Sequence, residues 1–373
     1  AGCGKRPHYR RLRQASPHHS GLAHPQLLCY TSALAALSAV GMEKRHRCCR
    51  RSKVVPAPIY WRQEAPSLFP MYVVPVSSFL SMDVAHPHQV LRARRQLIDF
   101  DAIDGLIAAF VSHQWCARRH ADPSFKQLRV MQSVFTRAAQ GTLQVNLDMF
   151  ATFVYHRKPT VHAADLRGVL SWTMWYDYFS VPQPEAPLAE SSQHANLGEE
   201  LGKAVASLSV YVQKCAYFFI LAPFVQHEEG HHIDYGAWRS RGWCRLERMA
   251  RVLSPGATSL LLVRRPDTVF EVGPDEYLFD PVARGRFGHE EDKEKLGPLV
   301  RRLLENKMSA LFDSGRMAEY RRMASWCPLL LAGFTCEWRR ACSTDEDLSE
   351  RDAGNRLLDL MHLPRGDTGP TAV

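Results

Sequence analysis

The sequence predicts an α/β protein: an open parallel sheet with helices on both faces, a helical C-terminal extension and a basic N-terminal arm. Three observations predict it. Four short β-prone runs, at 106–111, 173–179, 217–222 and 259–263, are apolar throughout rather than alternating, as strands covered on both faces must be. Helical patterns separate these runs, and strand–helix–strand order implies right-handed crossovers into a parallel sheet. The 373 residues are 46% hydrophobic and 23% charged, a globular composition with length for one large domain plus an extension, or for two domains.

Each element has its own signal. Pro56, Pro58, Pro66, Pro70 and Pro75 punctuate an extended approach to the body. Asp122-Pro123 offers an N-cap and a first-turn proline for a helix reaching about Ala139. Leu201, Ala204, Val205, Leu208, Tyr211, Val212 and Cys215 fall on one arc of roughly 120°, which predicts a single amphipathic helix over 201–215. A third helix is expected from about Arg241 to Leu253, with Leu246, Met249, Ala250 and Leu253 inward. The 141–171 stretch is too long for a simple connection and reads as an insertion. Apolar spacing marks two more helices, around 296–311 and 317–334. The expected division is an arm at 1–68, an α/β domain at 69–270, a helical extension at 271–363 and a tail at 364–373.

The net charge of +9 is unevenly placed. Residues 1–53 hold eleven Lys and Arg against Glu43 alone; removing these from totals of 47 and 38 leaves 36 basic and 37 acidic side chains. The body is near neutral, so a nucleic-acid-binding body is not implied. The arm reads as a solvated tail, as a targeting segment around the apolar run 27–42, or as a strip contacting anionic surfaces with Cys48 and Cys49 open to acylation. No run of about 18 apolar residues predicts a membrane span. Ten cysteines without a C-x-x-C pair suggest reduced thiols and a cytoplasmic setting.

Ligands of an open parallel sheet bind outside the carboxyl ends of its strands. The first strand run exits through Ser112-His113-Gln114-Trp115, the second contains Asp177, and the loop after the third delivers Trp243 and Glu247. These residues are expected around one hollow. Each has a plainer role as well: Ser112 and His113 as strand caps, the tryptophans as core, Glu247 as a surface partner of Arg251 at i,i+4. His227-Glu228-Glu229-Gly230-His231 matches H-E-x-x-H, the pattern of zinc hydrolases, whose chemistry needs both histidines on one helical face. Pro223, Gly230 and Asp234-Tyr235-Gly236 argue for a polar loop, with metal capture by His227, His231 and His232 as the lesser possibility.

Together these residues resemble the Toll/interleukin-1 receptor (TIR) superfamily and its heterokaryon-incompatibility relatives over about 104–265. Phe110-Val111-Ser112-His113 resembles the family's first strand and turn, and Trp175-Tyr176-Asp177 through Pro182-Gln183 the second strand of incompatibility domains. The 201–215 helix and Ala216–Leu221 resemble the helix and strand before the last helix. Trp243-Cys244-Arg245-Leu246-Glu247 resembles the Trp-Cys-x-x-Glu segment of plant-type TIR domains. The order from Ser-His-Gln-Trp to Arg-Gly-Trp-Cys-Arg-Leu-Glu also looks like a set of protist and algal proteins. The resemblance implies a signalling module that cleaves the nicotinamide–ribose bond of NAD or binds a related nucleotide, with Glu247 as catalytic group and no metal or cofactor required; the alternative is a non-catalytic module that self-associates through the same fold. It assigns ligand contacts to Ser112, His113, Gln114, Trp115, Asp177 and Trp243. The chain departs from the family in the 141–171 insertion and the long 223–240 loop.

Overall fold

The computed structural model describes residues 67–154, 156–184, 196–255, 259–274 and 276–334. The basic arm, with its apolar run and Cys48 and Cys49, lies outside the described residues, as do Cys336, Cys342 and the tail. Ten strands follow in chain order: β1 (Tyr72–Pro75), β2 (Ile98–Asp99), β3 (Ala108–His113), β4 (Gln144–Leu147), β5 (Thr173–Trp175), β6 (Tyr217–Leu221), β7 (Val225–Gln226), β8 (His232–Ile233), β9 (Leu260–Val263) and β10 (Thr268–Val272). Eight form one sheet in the order β2-β1-β5-β3-β6-β9-β10-β4, and β7 and β8 form a separate hairpin.

The centre of the sheet is the predicted parallel unit. β5, β3, β6 and β9 pair in parallel, and numbered by sequence they run 2-1-3-4, the order of doubly wound sheets in which winding reverses beside the first strand. Both edges carry more than the four runs foretold. β1 pairs antiparallel with β5 and with β2. On the far side β10 pairs antiparallel with β9. The 141–171 insertion contributes the outermost strand, β4, parallel to β10. Glu271 pins the inserted chain there: its buried carboxylate accepts from the Thr160 and Val161 amides at 2.8 and 3.2 Å.

Strand alternation separates two cores. Ala108, Phe110, Phe218, Ile220, Leu260 and Leu262 face one way, while Ala109, Val111, Phe219, Leu221, Leu261 and Val263 face the other. All twelve are buried, which is why the runs look apolar without period. On the first face Phe110 stacks between Trp175 (4.4 Å between centroids) and Phe218 (5.1 Å), an aromatic ladder across three strands.

Helices label in chain order as α1 (Val76–Leu80), α2 (His88–Ala93), α3 (Lys126–Gln140), α4 (Met149–Phe153), α5 (Asp177–Ser180), α6 (Leu197–Ala206), α7 (Leu208–Lys214), α8 (Tyr235–Ser240), α9 (Gly242–Leu253), α10 (Glu276–Phe279), α11 (Glu290–Asp313) and α12 (Met317–Leu331). α7, α9, α11 and α12 contribute Tyr211, Leu246, Leu303 and Leu330 to the first core; α1 and α3 contribute Phe79 and Phe135 to the second. The C-terminal helices thus share the sheet's own core. No helix among the described residues is long and apolar enough to cross a membrane.

Three local expectations are corrected. The 201–215 helix is two helices that meet at Ser207, whose hydroxyl bonds back to the Lys203 carbonyl (2.8 Å) and accepts the Leu68 amide (2.8 Å). The helix after Asp122 starts at Lys126; Asp122 still caps it, taking the Lys126 and Leu128 amides at 3.1 and 2.9 Å. The second strand ends at Trp175, so Asp177 opens the short helix α5 instead of lying within the strand.

Glycine is required where α9 begins. The 285–287 chain lies across it, with the Gly242 amide donating to the Arg286 carbonyl at 2.9 Å. A methyl on Gly242 would stand 2.0 Å from the Phe287 ring, and one on Gly285 would stand 2.5 Å from the Gly242 Cα. The start of the helix that carries Glu247 is therefore set by a glycine-to-glycine crossing.

Candidate functional site

β3 ends in two consecutive polar residues, and the alternation of the strand sends them to opposite faces. Ser112 continues the phase of Ala108 and Phe110, toward α8 and α9. His113 continues the phase of Ala109 and Val111, toward the segment after β5. Two hydrogen-bonded groups result, on either side of one strand exit.

On the first face Ser112 is buried between Trp238 of α8 and Glu247 of α9. The Trp238 indole N–H donates to Ser112 Oγ at 3.0 Å, and the Ser112 hydroxyl donates to Glu247 Oε2. The direction of the Ser112 O–H is set by that pair. Glu247 Oε1 takes no hydrogen bond from a described residue. Burial pushes the Glu247 carboxyl up to about 8; the Ser112 bond opposes this and the Asp177 charge adds to it. Among the described residues no arginine offsets the burial. Arg248, fully buried, and Arg239 both turn to Asp280, at 3.0 and 2.8 Å. Arg251, expected as the surface partner of Glu247, donates to the Cys215 and Ala216 carbonyls, each at 2.8 Å.

On the second face His113 Nε2 lies 2.7 Å from Asp177 Oδ1, and its Nδ1 lies 3.2 Å from the Tyr176 hydroxyl. The His113 and Tyr176 rings stack at 4.0 Å. Trp115 donates its indole N–H to Asp177 Oδ2 at 2.8 Å, and the Tyr178 amide donates to Oδ1. Burial alone would raise the Asp177 carboxyl, but the charge of His113 and these donors hold it below the usual carboxylate range. The Asp177 side chain is 30% exposed, against 2% for His113, so Asp177 is the accessible member. The groups touch through Cys244, one helical turn before Glu247, whose thiol donates to the His113 carbonyl at 3.4 Å.

Five of the seven residues singled out from the sequence therefore meet at this exit: Ser112, His113, Trp115, Asp177 and Glu247. They form two clusters back to back instead of one ring around a hollow. Trp243 does not join them; its indole N–H donates to Asp292 of α11 at 3.2 Å, tying α9 to the C-terminal helices. Gln114 is buried, its carbonyl accepting from Gln127 at 2.8 Å, and its side-chain oxygen has no partner among the described residues. Sequence reasoning missed Trp238 and Tyr176. Tyr176 was legible as the neighbour of Asp177, whereas Trp238 reaches Ser112 only through the path of the 223–240 segment. A surface hollow of about 490 Å³ lies elsewhere, against Leu80, Arg129 and Gln132, and includes none of these residues.

The 223–240 segment is not the helix that zinc-hydrolase chemistry needs. It forms the β7–β8 hairpin, with His227 to His231 in its turn, followed by α8, whose first turn Asp234 caps at the Ala237 amide (2.8 Å). The glutamate that the pattern would make catalytic, Glu228, accepts the Arg118 amide instead.

Comparison of the chain with protein-family models, curated proteins and solved structures finds no match to any of them. The site thus has to be read from its own chemistry.

Proposed function

We propose that the chain is a TIR-like signalling module whose β3 exit handles a nucleotide and cleaves the nicotinamide–ribose bond of NAD. The observation that carries this reading is Glu247: a largely buried carboxyl, held by a hydroxyl of fixed direction, beside the first strand of a 2-1-3-4 sheet. Ligands of such sheets bind where the winding reverses, between β3 and β6.

The reaction balances simply. The bond from ribose C1′ to the pyridinium nitrogen breaks, its electron pair returns to the ring, and neutral nicotinamide leaves. Water adds to C1′ and releases a proton, giving ADP-ribose. The leaving group needs no general acid, and the transition state is oxocarbenium-like, with bonds to ribose hydroxyls that tighten as charge develops. Ionised Glu247 supplies the carboxylate for those hydroxyls and for the positive sugar. Reduced thiols in the core, free at Cys116, Cys215, Cys244 and Cys327, support a cytoplasmic setting.

A second reading, a non-catalytic module that self-associates through the same fold, is favoured by one observation. Both ring nitrogens of His113 and both oxygens of Asp177 are already engaged within the protein. One experiment separates the two. The purified full chain is incubated with NAD and nicotinamide is quantified, with Glu247→Gln alongside. The enzymatic reading expects release from the wild type and a fall of about 100-fold or more in the variant. Release that survives the substitution, or none from the wild type at high protein concentration between pH 6 and 9, leaves the scaffold.

A further inference from the structure

A second chemical centre lies in the turn of the β7–β8 hairpin. The strands pair Val225 with Ile233 and Gln226 with His232, and the His227 amide donates to the His231 carbonyl at 2.8 Å as the next rung. Alternation puts His227 and His231 on one face and His232 on the other. The rings follow. His227 and His231 stack at 4.3 Å, while His232 stacks on the exposed Phe224 at 4.6 Å.

The two glutamates between them part in the same way. Glu228 anchors the turn to the body, its amide donating to the Cys116 carbonyl at 2.9 Å and its carboxylate accepting the Arg118 amide. Glu229 remains with the histidines, its Oε2 3.8 Å from His227 Nδ1 and 4.0 Å from His231 Nδ1. Gly230 permits the reversal: its φ of +87° is a left-handed conformation, and its amide closes the turn on the His227 carbonyl at 2.9 Å.

We propose that His227, Glu229 and His231 form a three-ligand site for a zinc-class divalent cation. Their ligand atoms all lie within 4.8 Å of one another. Tetrahedral zinc, with ligands at about 2.0–2.2 Å, spaces them about 3.3–3.6 Å apart. Small side-chain rotations on an exposed turn close that difference. Two imidazoles and one carboxylate select zinc and its first-row neighbours over magnesium or calcium, which prefer all-oxygen shells. The donor set is not that of H-E-x-x-H: Glu229 is a ligand, and Glu228 is a structural anchor. Solvent fills the remaining positions. The site lies on the chain that leads to Trp238, so a bound cation staples the hairpin on the approach to the Ser112–Glu247 group. It does not depend on the NAD reading.

The test uses the full chain, stripped with chelator and titrated with Zn²⁺ by calorimetry, so that binding by the histidines of the arm appears equally in every variant. The wild type is expected to take up one equivalent more than His231→Ala, and Glu229→Gln to weaken that equivalent at least 10-fold. His232→Ala and Glu228→Gln are expected to keep it. Glu229 is exposed, so its substitution leaves the fold intact. Co²⁺ provides a second readout, a tetrahedral ligand-field absorption in the wild type that His231→Ala lacks. Equal uptake by the wild type, His231→Ala and Glu229→Gln overturns the site, and loss in His232→Ala alone overturns the ligand assignment.

Discussion

Asp177 and Glu247 are carboxyl groups beside the same strand exit, yet their surroundings drive them in opposite directions. Asp177 has an imidazole, an indole N–H and a backbone amide as donors, which outweigh its burial and lower its pKa. Glu247 has one hydroxyl donor, and burial prevails, raising it to about 8. The lesson is that burial does not set the charge of a carboxyl; the number of donors and the nearest cation do. Pairs of groups pushed apart in this way are where acid–base and electrostatic roles divide. Here the charged partner holds the architecture, and the nearly neutral one keeps an oxygen without a bond from the described residues.

Three substitutions would break or sharpen that contrast. The largest effect is expected from Asp177→Asn, which strips His113 of its anion and disrupts the donors gathered around Oδ1. Discounted for the 30% exposure of the side chain, the loss is about 2–3 kcal/mol at pH 7 by denaturant unfolding. The sign is fixed by the lowered pKa: the stabilisation is present above the unfolded value and vanishes as pH falls through the folded one. Wild type and variant should therefore converge in acid, and a gap that persists there would mean packing rather than charge.

Glu247→Gln is expected to act the other way. A group whose folded pKa is raised contributes stability below its unfolded pKa and loses it as pH rises through the folded one. The wild type should weaken between about pH 5 and 9 in a way the glutamine variant does not, by up to a few kcal/mol at pH 9. Parallel stability–pH curves for the two proteins would show that Glu247 ionises freely.

The smallest effect is expected from Ser112→Ala. Its hydroxyl is the one donor among the described residues that lowers the Glu247 pKa. Under the proposed NAD cleavage, removing it should move the midpoint of nicotinamide release, expected near pH 8 in the wild type, to higher pH by up to about one unit. A midpoint unchanged or moved toward acid would mean that the Ser112 bond does not tune the carboxyl.

The parallel centre of the sheet was legible because four apolar runs and the helices between them are local patterns. The added edge strands were not: β4 pairs with a strand more than a hundred residues away, and nothing in Gln144–Leu147 marks its partner. Likewise the helix divides at Ser207 although its wheel is unbroken, and the Leu68 amide that Ser207 receives comes from a remote segment.

For the site, residue order alone determined the candidates. A strand that is apolar on both faces and ends in Ser-His must turn one of them to each face, and a strand exit is where a doubly wound sheet exposes polar groups. Tertiary structure alone decided their partners. It aligned Trp238 with Ser112, directed Trp243 to Asp292, gave Arg239 and Arg248 to Asp280, and left Glu247 without a cation among the described residues. Those outcomes follow from how loops of 15–20 residues route between fixed elements. Such routing depends on contacts summed over the whole core, and no short stretch of sequence carries that information.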